Sequence, residues 1–374
     1  MTKKYSFTKT EKLLDKFLEL GVPGYAIAVM KDGECVFSKK AGYSSLEDKT
    51  PVTGKESYYM YSCTKVLTCT AALMLYEKGA FKLDDPVAKY LPVFANMKVK
   101  AEDGTLRPAE KPMLVHHLFS MTAGFDYKLQ SPSMKELYKD TDGRCPTREF
   151  ARYLSREPLC FEPGTHYNYS LCHDVLGVLI EVWSGERLSD FMKKNIFAPL
   201  GMKNTLFRPT EEEKERICPL YIFGENNGKM ITRLPSTISY QLGTEFDSGG
   251  AGSVSTLDDF VLFLEALRTY KLLSPDTVRL MSTDRIGGLY DDFELAEKGY
   301  GYGLGVRCRR ADGHPNSLDL YDFGWQGAAG AHAAVDTENG ISVVYVQHML
   351  NYPNHEHKKD LVRTITAEIL AKDN

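Results

Sequence analysis

Ser62-Cys63-Thr64-Lys65 lies between Tyr58-Tyr59-Met60-Tyr61 and the apolar run Val66, Leu67, Ala71, Leu73, Met74 and Leu75, and it decides how the chain is read. The run has helical spacing, which predicts a helix opened by Ser62. A serine and a lysine three residues apart share one helix face. Unpaired N–H groups at a helix start favour a negatively charged oxygen. A lysine one turn on can take the serine proton, which is how a weak hydroxyl becomes a useful nucleophile near neutral pH. The same four residues also describe an ordinary capped helix start, so the reading depends on partner segments downstream.

Those segments are present. Phe161-Glu162-Pro163-Gly164-Thr165-His166-Tyr167-Asn168-Tyr169-Ser170 leads into Leu171-Cys172-His173-Asp174-Val175-Leu176-Gly177. Pro-Gly marks a turn, and the spacing of Val175, Leu179, Val182 and Trp183 predicts a helix after it. Tyr169 is therefore expected on a loop just before a helix, with its hydroxyl facing a cleft. Gly324-Trp325-Gln326-Gly327-Ala328-Ala329-Gly330 precedes Val335-Asp336 and the strand-like Ile341-Ser342-Val343-Val344-Tyr345-Val346.

In this order the motifs resemble those of the serine hydrolases of the class C β-lactamase and penicillin-binding-protein superfamily, for which S-x-x-K is a signature. Supporting stretches are Gly24-Tyr25-Ala26-Ile27-Ala28-Val29, Leu114 through Gly124, Pro199-Leu200-Gly201-Met202-Lys203-Asn204-Thr205, and Ser248-Gly249-Gly250-Ala251-Gly252-Ser253. The resemblance implies a β-lactamase/transpeptidase-like fold, with Ser62 as acyl-accepting nucleophile and Lys65 as its base. It implies Tyr169 as the group that shuttles a proton to the leaving group. It also implies an oxyanion hole made by the backbone N–H groups of Ser62 and Ala328, and no metal or organic cofactor.

Two departures from the family pattern bear on substrate. The second motif is usually Tyr-x-Asn but reads Tyr169-Ser170-Leu171 here, so it offers no amide to a substrate. The third is usually Lys-Thr-Gly, whose lysine holds a carboxylate, but reads Trp325-Gln326-Gly327 here. A tryptophan at that place resembles the β-lactamase-like carboxylesterases, and an uncharged apolar pocket suits an ester. The expected substrate-contact set is Trp325, Gln326, Gly327, Leu171, Phe125 and Tyr127. Two other readings stay open: a β-lactamase or D-amino-acid peptidase that holds its ligand through a cation elsewhere, and a catalytically idle binding or sensor domain. Hydrolysis and acyl transfer are equally compatible with the motifs.

Other chemistry fails inspection. His116-His117 falls on an apolar helix face, and His355-Glu356-His357 lies on a polar turn without a ligand cluster at metal spacing, so no metal site is expected. Gly299-Tyr300-Gly301-Tyr302-Gly303-Leu304-Gly305 has Leu304 where a dinucleotide fingerprint needs glycine. The G-x-S-x-G elbow of α/β-hydrolases is absent.

The 374 residues suggest more than one lobe. Lys plus Arg at 46 against Asp plus Glu at 50 gives a net charge of −4 and points to no nucleic-acid or membrane partner. The expected partner is a small-molecule ester or amide, and oligomeric state is not legible. The N-terminus shows no secretion signal, and no apolar run is long enough to span a bilayer. The eight scattered cysteines read as free thiols. A cytoplasmic location is expected.

Strands are expected at 24–30 and 34–39, joined by an Asp-Gly hairpin, and again at 302–307, 317–323, 331–336 and 341–348. Helices are expected at 257–269 and 359–371, with a mostly helical stretch from 81 to about 220. The fold class is therefore α+β. Residues 1–80 and 230–374 would form a lobe built on an antiparallel sheet flanked by helices, with a helical lobe, 81–229, inserted into it. The cleft between lobes would hold the site.

Overall fold

The computed structural model describes residues 5–226, 229–235, 242–313 and 321–371. Helix α1 (Thr8–Glu19) precedes strands β1 (Gly24–Lys31), β2 (Glu34–Ser45) and β3 (Thr50–Pro51). Helices α2 (Thr64–Glu77), α3 (Cys172–Ser184) and α4 (Leu257–Arg268) follow. The chain then returns to the sheet with β4 (Tyr300–Tyr302), β5 (Arg307–Arg309), β6 (Phe323–Gln326), β7 (His332–Asp336) and β8 (Ile341–Gln347), and closes on α5 (Leu361–Leu370). These strands make one eight-stranded sheet in the order β4-β5-β6-β7-β8-β1-β2-β3, with every neighbouring pair antiparallel.

The central strands are apolar at nearly every position because both sheet faces are covered. On β1, Tyr25, Ile27 and Val29 join Val343 and Tyr345 of β8 against Leu14 and Phe17 of α1 and Ile365 and Ile369 of α5. The alternate residues Ala26 and Ala28, with Val344 and Val346, face the core that contains α2 and α4. This is the period-2 alternation of a strand, read on two faces. Register pairs Tyr25 with Gln347 and Ile27 with Tyr345. The two terminal helices are tied together by Glu368 of α5. Its carboxylate accepts the Lys9 and Thr10 backbone N–H groups at 2.6 and 3.0 Å, satisfying donors that the start of α1 leaves open.

α2 is buried on nearly every side, from Thr64 through Leu73, which explains why its apolar residues are spread around the helix rather than gathered in one stripe. Its approach is a 3-10 turn, Tyr61–Cys63, entered through Tyr61 at φ +44°. That left-handed residue is unusual for an aromatic side chain and swings the chain sharply from the strand Ser57–Tyr59 into the helix.

Several expected elements differ. The strand at 302–307 is instead the end of β4, a turn, and the start of β5. Gly303 and Gly305 permit this turn: a Cβ on Gly303 would lie 2.2 Å from the Met281 carbonyl oxygen, and one on Gly305 2.1 Å from Cys69 Sγ of α2. The glycine-rich run is therefore a close-packing device. Of the strand expected at 317–323, residues 317–320 lie outside the described residues, and β6 begins at Phe323. β2 runs on to Ser45. The beginning of the stretch expected to be helical holds 3-10 turns at Val87–Lys89 and Pro92–Phe94 and a hairpin of Lys98–Lys100 with Leu106–Pro108. Pro86 and Pro92 remove the donors a longer helix would need there. His355-Glu356-His357, expected as a turn, begins the single helical turn His355–Lys358.

Candidate active site

Three separate segments meet at Ser62. Tyr169 Oη donates to Ser62 Oγ at 2.5 Å, and Lys65 Nζ donates to the same oxygen at 3.1 Å. Lys65 is wholly buried, and its Nζ also donates to the Gly250 carbonyl at 2.7 Å. Its Nζ sits 4.7 Å from the centre of the Tyr169 ring and 5.4 Å from that of Tyr127, against their aromatic faces. Tyr127, Tyr169 and Trp325 form a stack, with centroids 5.4 and 5.7 Å apart. The Trp325 indole N–H reaches Tyr169 Oη at 3.3 Å. The hydroxyl of Tyr169 is thereby held between a donor and the serine oxygen.

A second layer fixes Lys65. Asp174, on the first turn of α3, is buried. Its Oδ1 accepts Ser248 Oγ at 2.6 Å and the Gly250 N–H at 3.2 Å, which holds the 248–252 loop with the Gly250 carbonyl facing Lys65. Burial raises the Asp174 carboxyl above the usual carboxylate range, opposed by the Lys65 charge and by these hydrogen bonds. The loop is glycine-rich because α3 presses on it. A Cβ on Gly249 would lie 2.3 Å from the His173 carbonyl oxygen. Gly249→Ala is accordingly expected to lower unfolding free energy by about 1–3 kcal/mol. It should also slow turnover, as the Gly250 carbonyl moves off Lys65; thermal melting and kcat measure the two effects.

Cys63, next to Ser62, points away from the cleft. Its Sγ donates to the Trp325 carbonyl at 3.6 Å, joining the start of α2 to β6. Burial pushes its thiol up to about 12, so it is no thiolate at neutral pH.

Ser62 opens onto a cavity of about 790 Å³ that Tyr127, Tyr169, Trp325, Gln326, Gly327 and Ala328 also line. Phe125 and Leu171 do not line it. Phe125 is buried edge-on against Phe94 at 5.6 Å, and Leu171 is buried at the N-cap of α3. Both follow the chain direction of their motifs, but their side chains turn into the core, where an apolar side chain gains most. Residues that the motifs did not flag complete the wall: Tyr167, Asn168, Asp292, Phe293, Glu294, Asn351, Tyr352 and His355. Tyr167 and Asn168 were within reach, two and one residues before Tyr169. Of the others, His355 opens the short helix His355–Lys358, and the rest come from short or irregular segments with no periodicity to read. Among the described lining residues there is no lysine or arginine. No group of His, Cys, Asp and Glu among the described residues has metal-holding geometry, and no helix among them is long and apolar enough to cross a membrane.

A sheet sandwiched by helices, with a serine, a buried lysine and a tyrosine at one cleft, is the architecture of a serine hydrolase working through an acyl-enzyme. The family model described as Beta-lactamase matches residues 10–367, and the chain belongs to that family. Esterase EstB of Burkholderia gladioli is 28% identical over 345 residues, covering 86% of this chain and 84% of the esterase. Two solved structures share the fold. EstCE1, a hydrolase with promiscuous acyltransferase activity, superposes with a TM-score of 0.75 at 24% identity, covering 95% of this chain and 98% of its own. Unliganded, selenomethionyl simvastatin synthase LovD from Aspergillus terreus gives 0.78 at 22% identity, covering 98% of each.

Proposed function

We propose that this serine hydrolase acts on small uncharged carboxylic esters through an acyl-Ser62 intermediate. The single observation that carries the ester reading is the cavity wall. Where the family pattern has a lysine to hold a carboxylate, Trp325 stands here, and no other described lining residue supplies a basic side chain except His355. Burial holds the His355 imidazole below its ordinary value, with Lys359 adding to the effect, so it is mostly neutral at pH 7. An anionic β-lactam or peptide terminus would enter without a counter-charge, past Asp292 and Glu294, whereas a neutral ester meets aromatic walls.

In the proposed reaction Ser62 Oγ attacks the ester carbonyl as its proton passes to the unprotonated member of the Lys65–Tyr169 pair, whose two polar atoms stand 3.1 and 2.5 Å from that oxygen. The N–H groups of Ser62 and Ala328 receive the oxyanion. Tyr169 returns the proton to the departing alcohol. Water or a second alcohol then attacks the acyl carbon, gives its proton to the same pair, and restores Ser62. We assign the sheet-bearing portions, 1–80 and 230–374, to one lobe and 81–229 to the other. Support comes from the lining, since Tyr127, Tyr167, Asn168 and Tyr169 come from the inserted portion and the remaining wall from the sheet-bearing one. The eight cysteines are all unpaired, which suits a reducing compartment such as the cytoplasm.

The test sets a p-nitrophenyl ester of a short acid beside a chromogenic cephalosporin. Ester kcat/KM is expected to exceed cephalosporin kcat/KM by about 100-fold or more, because a site lacking a ligand's charged partner rejects it strongly. Dominant cephalosporin turnover would transfer the protein to the β-lactamase reading. Failure of a fluorophosphonate to label Ser62 would make it an idle relative.

A further inference from the structure

Lys358 is the last residue of the short helix His355–Lys358, and it is completely buried. Its Nζ donates to the Gly330 carbonyl at 3.0 Å and stands 4.3 Å from the centre of the Tyr352 ring. Among the described residues it forms no ion pair. A buried ammonium held by one carbonyl and one ring face is costly to keep, yet it sits directly behind the turn at the end of β6. That turn runs from Gly327 to Gly330 and carries Ala328 into the cavity. Its other anchors are backbone contacts: Gly330 N–H to Gly327 O at 2.8 Å, Gly327 N–H to Ala331 O at 2.8 Å, and Met349 N–H to Ala329 O at 3.1 Å. Gly330 has φ +100°, and a Cβ there would lie 2.2 Å from Gln347 Cγ. The turn has one shape available, and Lys358 pins its far end.

We propose that Lys358 is a positioning residue for acyl transfer: its ammonium, bound to the Gly330 carbonyl, fixes the turn that presents the Ala328 N–H and keeps positive charge behind the oxyanion. The inference rests on the reading of Ala328 as an oxyanion-hole donor. The groups facing Lys358 are Cys63 from the start of α2, Glu294 from the wall segment, Arg307 from β5, His332 from β7 and Tyr352, with His355 on its own helix. Burial, reinforced by Arg307, brings Lys358 down from 10.5 to about 7, with Glu294 pulling the other way. The active, protonated form is therefore lost as pH rises through about 7, which places a descending limb on the rate. The unfolded chain keeps that proton up to 10.5, so folding stability gains from this residue as pH rises from about 7 toward 10.5.

The test compares wild type, Lys358→Met and Lys358→Arg by the rate at which a fluorophosphonate modifies Ser62 and by kcat and KM on a p-nitrophenyl ester, from about pH 6 to 9. Lys358→Met is expected to lower the labelling rate and kcat by about 10- to 100-fold with KM little changed, and to abolish the neutral limb. Lys358→Arg, charged throughout, is expected to keep activity and lose the limb; it decides the matter should the methionine variant fold poorly. Wild-type labelling rates and pH profiles in both variants would overturn the proposal while leaving the serine-hydrolase reading intact. Absence of labelling in the wild type would overturn that reading, and this inference with it.

Discussion

Ser62→Ala is expected to abolish ester turnover, with a loss of about 10⁴-fold or more in kcat. The magnitude follows from the site's construction. Lys65 and Tyr169 both aim at Ser62 Oγ, at 3.1 and 2.5 Å. Cys63 does not substitute, because it faces β6 and its thiol is held at about 12. The residual rate would come from the oxyanion donors and the cavity alone. Stability should change little, since alanine fits the 3-10 turn and Lys65 keeps its hydrogen bond to the Gly250 carbonyl. Steady-state rates on a p-nitrophenyl ester and intact-protein mass after fluorophosphonate treatment check both halves. An active Ser62→Ala enzyme would place the nucleophile elsewhere.

Lys65→Met should come next, lowering kcat/KM by about 10³-fold through loss of the group that shares the serine proton. Unlike Ser62→Ala, it is expected to perturb the fold, because the Gly250 carbonyl loses its 2.7 Å partner in a fully buried place. An unpaired buried acceptor costs about 1–3 kcal/mol. Lys65→Arg is not expected to rescue. The guanidinium is a wide planar fork, and the slot between Tyr169, Tyr127 and Gly250 holds one compact amino group. Paired measurements of kcat/KM and melting temperature separate the two effects. Near-wild-type turnover in Lys65→Met would leave Tyr169 as the sole proton acceptor.

The candidate site was legible because the chemistry proposed for it fixes its spacing. Ser62 and Lys65 must share a helix face, Tyr169 must end a turn before α3, and Trp325 through Ala328 must close a strand. The sheet was legible for a related reason, since Tyr25, Ile27 and Val29 alternate with alanines as only a doubly covered strand does. What stayed hidden depends on long-range packing. Phe125 and Leu171 adjoin their motifs, and nothing in spacing says that their side chains turn inward. Phe293 and Tyr352 come from irregular segments that reach the cleft only through the fold. Asp174 gave a faint signal, a carboxylate on an otherwise apolar helix face. Lys358 gave none, because a lysine inside the polar run His355–Asp360 reads as solvated until the Gly330 carbonyl and the Tyr352 ring enclose it.

The wall segment at 292–294 also bears on how such a protein can change. It meets the reaction centre through stacked rings, Phe293 lying against Trp325 at 6.3 Å and edge-on to Tyr167 at 5.2 Å. Lys65, by contrast, is on α2, and Ser62 and Tyr169 lie in the turns that lead directly into α2 and α3. A grafted replacement of that wall would thus exchange the molecule's taste in substrates while its engine kept running, which makes 286–298 the first place to diversify in a library seeking new esters.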